Sequence, residues 1–183
     1  MDGVTLEKLI EKRTTNLTQP QMAKKIESRT IKEFRDGIAE YGSDSLRFTF
    51  CALATTGRDV RFDVARIEGY RNFCNKLWNV AKFALSNTED FAPGEAVRET
   101  EVSDPINRWI ADRTSHVIHS CRQALEEYRF DLYANHIYDF AWHEYCDWYI
   151  EMIKPNFWGD AEASERRRET QQTMLIVFET ILK

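Results

Sequence analysis

Apolar residues recur along this chain with the period of a helix in four long stretches. The first contains GYRNFCNKLWNVAKF (69–83). Projected at about 100° per residue, Phe73, Leu77, Val80, Ala81 and Ala84 gather on one face, with Tyr70, Cys74, Trp78 and Leu85 on its flanks. Asp63 is placed to cap this helix, which the pattern carries to about Asn87. Phe83 falls about 140° from the centre of the apolar face, in line with Asn72, Lys76 and Asn79. The projection therefore puts an aromatic ring on the wet side, beside amides and an ammonium.

The second stretch opens on Asp104-Pro105, a cap and a first-turn proline, and carries Trp109, Ile110, Val117, Cys121 and Leu125 on one side. The third runs from about Asp131 to Lys154. Its Leu132, Tyr133, Ile137, Phe140, Ala141, Tyr145, Trp148, Tyr149 and Met152 keep the helical period until Pro155. The fourth begins near Ala161 and is still apolar at Ile181 and Leu182, which predicts a chain ending within a helix and forming part of something longer. One core is expected to hold Phe73, Trp109, Ile137, Phe140, Tyr145 and Trp148.

Upstream the pattern is weaker. LEKLIEKR suits a short helix after Thr5, QPQMAKKIESR (19–29) another with Pro20 in its first turn, and SDSLRFTFCALAT (43–55) a third. RDVRFD (58–63) alternates charged and apolar residues, a short strand signal. The fold predicted is mainly α: a bundle of about four long helices (63–183) preceded by a small mixed α/β region (1–62) with at most two or three short strands. An acidic linker containing Pro and Gly (88–103) separates the first two long helices.

Composition agrees with helices. Of 183 residues, 43% are hydrophobic and 13% aromatic, enough for a real core, while 7 Gly and 4 Pro are few for a chain of tight turns. Four dispersed Cys without a CxxC, and no apolar signal segment, point to a reducing cytosol. No apolar run approaches the roughly 20 residues needed to span a bilayer, so a soluble protein is expected.

The net charge of −5 argues against a non-specific nucleic-acid binder, but its distribution is polarised. Lys24, Lys25, Arg29, Lys32 and Arg35 outnumber the acids of 21–35, and Arg58, Arg61, Arg66, Arg71, Lys76 and Lys82 those of 58–82. In 126–151 Arg129 alone faces Glu126, Glu127, Asp131, Asp139, Glu144, Asp147 and Glu151. A local basic surface can meet phosphate in an acidic protein, because screening limits each charge to about 8–10 Å.

Catalytic chemistry is hard to find. The chain has no phosphate-cradling glycine loop, no G-x-S-x-G and no metalloprotease motif. His116 and His119 lie on one helix, His136, His143 and Cys146 on the next, at spacings that match no zinc pattern. Neither a catalytic nor a metal site is expected, and Glu144 and Asp147 read as solvent-facing charges. The Lys76, Phe83, Asn72 and Asn79 stripe fits RNA instead: a ring can stack on a base, amides can read base edges, and an ammonium can reach phosphate.

Three tracts carry a family resemblance. The run SDSLRF, the TGRD-V-F-D tract and YRNFCNKLWN, all within 41–83, together resemble valyl-tRNA synthetases. DPINRWI (104–110) and YCDWYIEMIKP (145–155) extend the match to essentially the whole chain. Isoleucyl- and leucyl-tRNA synthetases share the architecture, but TGRD and CDWYIE fit valine better. The resemblance implies a class I enzyme that joins valine to its tRNA, with ATP and Mg²⁺ as cofactors of the full-length protein. Both ATP-binding signature loops and the editing domain are absent from these residues, so this stretch alone is expected to be inactive.

What remains would be the end of the catalytic body with the stem-contact region (1–62) and most of an anticodon-binding domain (63–183), acting in the cytoplasm with tRNA and the remaining domains of the same chain as partners. The family presents a lysine and an aromatic to anticodon bases at positions that match Lys76 and Phe83. A family arginine aligns with Ala65, leaving Arg66 as the nearest substitute, with Arg58 a further candidate RNA contact. The competing reading is a stand-alone helical protein–protein interaction module, which would expose several apolar residues in a row where this helix exposes one ring among amides.

Overall fold

The computed structural model describes residues 3–55, 63–91, 102–158 and 165–183. Its elements are α1 (Leu6–Thr14), α2 (Ala23–Glu33), α3 (Ser43–Leu53), α4 (Val64–Ser86), α5 (Pro105–Glu126), α6 (Phe130–Asp139), a π-helix (Phe140–Tyr149), α7 (Ile150–Ile153) and α8 (Glu165–Leu182). The chain divides into two compact units, one holding the described residues of 1–49 and 61–71, the other those of 50–60 and 72–183. The mainly helical prediction holds.

The first unit departs from its predicted mixed character. Among the described residues it has no strand, only an isolated antiparallel bridge in which Val4 and Ile38 each donate an N–H to the other's carbonyl at 2.8 Å. Gly37 beside it sits at φ +79°, where a Cβ would run into the Val4 carbonyl, so glycine is the residue this approach requires. The predicted strand at 58–63 lies, but for Asp63, outside the described residues. Asp63 does cap α4, its Oδ1 accepting from Ala65 N at 3.0 Å.

The second unit is built around α5, the helical run 130–153 and α8. Asp104 caps α5 by accepting from the amides of Ile106 (2.8 Å) and Asn107 (3.3 Å), and Pro105 at the first helical position has no N–H to orphan. The core joins Val80 and Ala84 of α4 to Ile110, Phe140, Tyr145, Tyr149, Ile153, Met174, Val177 and Phe178. Tyr145 and Tyr149 are fully buried and stack at 5.5 Å. Each hydroxyl finds an acceptor, Tyr145 on the Met174 carbonyl (2.7 Å) and Tyr149 on Asn107 Oδ1 (2.9 Å).

Two expectations about the core are corrected. Trp148 is 60% exposed, not core. The run 130–153 is not uniformly α: ten residues in its middle are π-helical, and i→i+5 bonding turns the chain through less than 100° per residue. Buried positions consequently advance by five and then four, from Phe140 to Tyr145 to Tyr149 and from Ala141 to Cys146 to Ile150. That slower rotation carries Trp148 off the buried face. Phe73 is buried as expected, but against Tyr138 (4.9 Å) and Trp142 (6.2 Å). Trp109 packs on the core only half-buried, and Ile137 is likewise half-buried.

Candidate nucleic-acid interface

On α4 the true buried face is turned toward Phe83. Phe73, Val80 and Ala84 are buried, Leu77, Ala81 and Phe83 half-buried, whereas the flank residues Trp78 and Leu85 are 65% and 67% exposed. The cause is a neighbour that the helix's own pattern does not report. Phe157, in the turn after α7, lies edge-on to the Phe83 ring at 6.0 Å, and Arg167 of α8 stands 6.0 Å from the Phe157 ring. Phe83 is thus no free ring on the wet side, as the projection placed it, but one seated at the rim of the core with part of its surface accessible.

Lys76, one stripe with Phe83, is also engaged. Its ammonium donates to the Asp147 carboxylate and stands 4.2 Å above the centroid of the Trp142 ring. His143 lies on the far side of Asp147, at 3.5 Å. Trp142 is braced by Tyr138 (5.6 Å, near-parallel) and by Phe73. The cation is held by one carboxylate and one π-face, leaving N–H donors that neither uses, because an ammonium has three. Asn72 and Asn79 complete the stripe and are exposed. Asn72, Lys76, Asn79 and Phe83 thus line one side of α4 over about 16 Å.

Arg66 is exposed in the first turns of α4, and Arg58 lies outside the described residues. Of Glu144 and Asp147, expected to face solvent, Asp147 is exposed and Glu144 half-buried, and both also tie helices together. Glu144 accepts two bonds from Arg113 of α5 (2.6 and 2.7 Å), and Asp147 holds Lys76. Sequence reading missed Trp142 and Asp147 as partners of Lys76, since they stand more than sixty residues away with no local spacing to link them.

The thiol and imidazole groups gather no catalytic constellation. Burial pushes the Cys146 thiol up to about 11, with nearby Lys76 drawing it down and Asp147 raising it, so it is protonated at neutral pH. Burial likewise raises Cys121. His116 and His119 are exposed on α5. Among the described residues no group of three or more His, Cys, Asp or Glu is placed to hold a metal ion, and no helix is long and apolar enough to cross a membrane.

A helical unit with an amide- and cation-bearing stripe is the setting in which the comparisons with known proteins fall. Residues 107–183 match the family described as the anticodon-binding domain of tRNA ligase, and that is the class of domain to which this part of the unit, from α5 onward, is matched. Over its whole length the chain is 47% identical to the valine–tRNA ligases of Legionella pneumophila strains Lens, Paris and Philadelphia 1, and it covers 20% of the length of each. It corresponds to a stretch of a valyl-tRNA synthetase.

Proposed function

We propose that this chain binds the anticodon arm of a valine-accepting tRNA through α4, as part of a longer enzyme that attaches valine to that tRNA. One observation carries the reading: between Gly69 and Thr88 the chain has no acidic residue, in a protein with 30 of them. The stripe of Asn72, Lys76, Asn79 and Phe83 lies in that acid-free tract, and the candidate contacts Arg66 and Arg58 precede it in sequence. Within this tract phosphate meets no acidic side chain of the helix, amides can pair with base edges, and the accessible part of Phe83 can meet a base. The held posture of Lys76 favours the reading, because an ammonium fixed by Asp147 and Trp142 has less freedom to lose on binding.

The longer enzyme would use ATP and Mg²⁺ and act in the cytosol, with 1–62 contacting the inner stem and 63–183 the anticodon arm. This chain alone is expected to form no valyl-adenylate, since it carries neither nucleotide-binding loop; ATP–pyrophosphate exchange by the purified chain would overturn that.

The interface is tested by titrating the chain, at fixed salt, against stem-loops bearing valine and non-valine anticodons. Lys76→Ala is expected to weaken binding of the matched loop by roughly 1–3 kcal/mol. If the ammonium contacts phosphate, the slope of log affinity against log salt also falls by about one. Equal affinity of the unmodified chain for both loops would sink anticodon recognition and leave only general phosphate attraction.

A further inference from the structure

The outward face of α4 holds a second aromatic that the stripe does not use. Trp78 is 65% exposed, and Leu85, two turns on, is 67% exposed. Trp78 lies about 140° round the axis from Phe83. Lys82 is one turn from Trp78, its ammonium 5.7 Å from the indole centroid. Asn75 and Asn79 are exposed beside it. Around the helix the order runs Leu85, Trp78, Lys82, Asn75, Asn79, Asn72, Phe83 and Lys76. Between Gly69 and Thr88 every charged member of this arc is a cation; Ser86 and, from the preceding turn, Glu68 also project into it.

A single exposed indole needs no partner, but Trp78 adjoins Leu85 and a row of amides and cations on the same face. Here charge selects the occupant. A protein partner seated on apolar residues gains little from three exposed asparagines and an exposed lysine, whereas an unpaired nucleotide needs these groups together: a flat π-face for the base, amides for its edges and an ammonium for its phosphate. Phe83 packs T-shaped against Phe157, and Lys76 is held by Asp147 and Trp142. Trp78 and Lys82 touch each other, and the indole keeps most of its surface open.

We propose that Trp78 is a base-stacking platform of this RNA surface, with Lys82 placed to take the neighbouring phosphate and Asn75 and Asn79 the base edge. The inference rests on the anticodon-arm reading above and extends its contact surface across α4, from the Lys76 edge to the Trp78 edge.

The test titrates the 183-residue chain with the matched anticodon stem-loop, following both labelled-RNA polarisation and tryptophan fluorescence. Trp78→Ala is expected to weaken binding about tenfold, the range for loss of one stacked base. Trp78→Leu, which keeps apolar bulk but no π-face, should weaken it as much, whereas Trp78→Phe stays within about threefold of the parent. RNA-induced quenching of fluorescence should be largely lost in Trp78→Phe although binding persists. Melting temperatures should not move, because the side chain is exposed.

If Trp78→Ala and Trp78→Leu bind like the parent while Lys76→Ala does not, the platform is refuted and the anticodon-arm reading stands. If the parent itself binds no stem-loop, both fail. Trp78 variants that lower the melting temperature and leave RNA binding unchanged would make this a packing face for protein, which also overturns the proposal.

Discussion

Glu169→Ala is expected to destabilise the helical unit by about 3 kcal/mol or more, a larger effect than truncating any exposed side chain of α4. Glu169 is 2% exposed, and its carboxylate gathers the start of α5. It accepts from Ser103 N (2.9 Å) and Ser103 Oγ (2.8 Å), from Asp104 N (3.0 Å) and from Asn107 Nδ2 (3.0 Å). Asn107 in turn accepts from Tyr149 and donates to Thr170, so one carboxylate joins α5, the π-helix and α8. Alanine leaves the Asp104 amide without its acceptor in a buried site and takes one of the two partners of the Asn107 amide. Thermal and urea melts followed by circular dichroism measure the loss. A change under about 1 kcal/mol would mean that water replaces the carboxylate.

The same residue gives the acid limb of stability a sign. Burial pushes the Glu169 carboxyl up, but the bonds from Asn107, Ser103 and Asp104 outweigh it and hold the carboxyl below its ordinary range. A folded value below the unfolded one contributes stability that is present above the unfolded pKa, about 4.3, and is lost as pH falls through the folded value. Glu169→Gln should accordingly flatten the fall in stability below about pH 4.3 as well as lower the plateau above it.

Phe73→Ala is the second large effect, about 3–5 kcal/mol for a ring that is 2% exposed. It should also loosen the candidate interface, because Phe73 braces Trp142 and Trp142 carries the Lys76 ammonium. Phe83→Ala provides the comparison. The ring is half-buried against Phe157, so its removal should cost about 1–2 kcal/mol, not zero as a wet-side ring would imply. Melts of the two variants side by side check the ranking. Equal losses would place Phe83 in the core proper, and no loss from Phe83→Ala would restore it to the surface. Any RNA titration of Phe83→Ala must be read at a temperature where the variant stays folded.

That this protein is helical, where α4 and α5 begin, and which faces are broadly apolar were all legible in the sequence. Those properties are local: Asp63 and Asp104 cap their own helices, Pro105 suits a first turn, and a 3.6-residue period is written within each segment. Its tracts also carried the resemblance to valyl-tRNA synthetases, and with it the choice of α4 as the candidate interface. Whatever depends on a partner distant in sequence was settled by long-range packing. Phe157 drew Phe83 to the rim of the core, Asp147 and Trp142 engaged Lys76, and Arg113 claimed Glu144. Packing of the whole unit likewise goes with ten residues being π-helical, which put Trp148 outside where an even α-helical period had put it inside. A common cause underlies the differences at α4: a helix's pattern gives the direction of its apolar face to within a few tens of degrees, whereas the side chains at the edge of that face are buried or bared by whichever neighbour packs there.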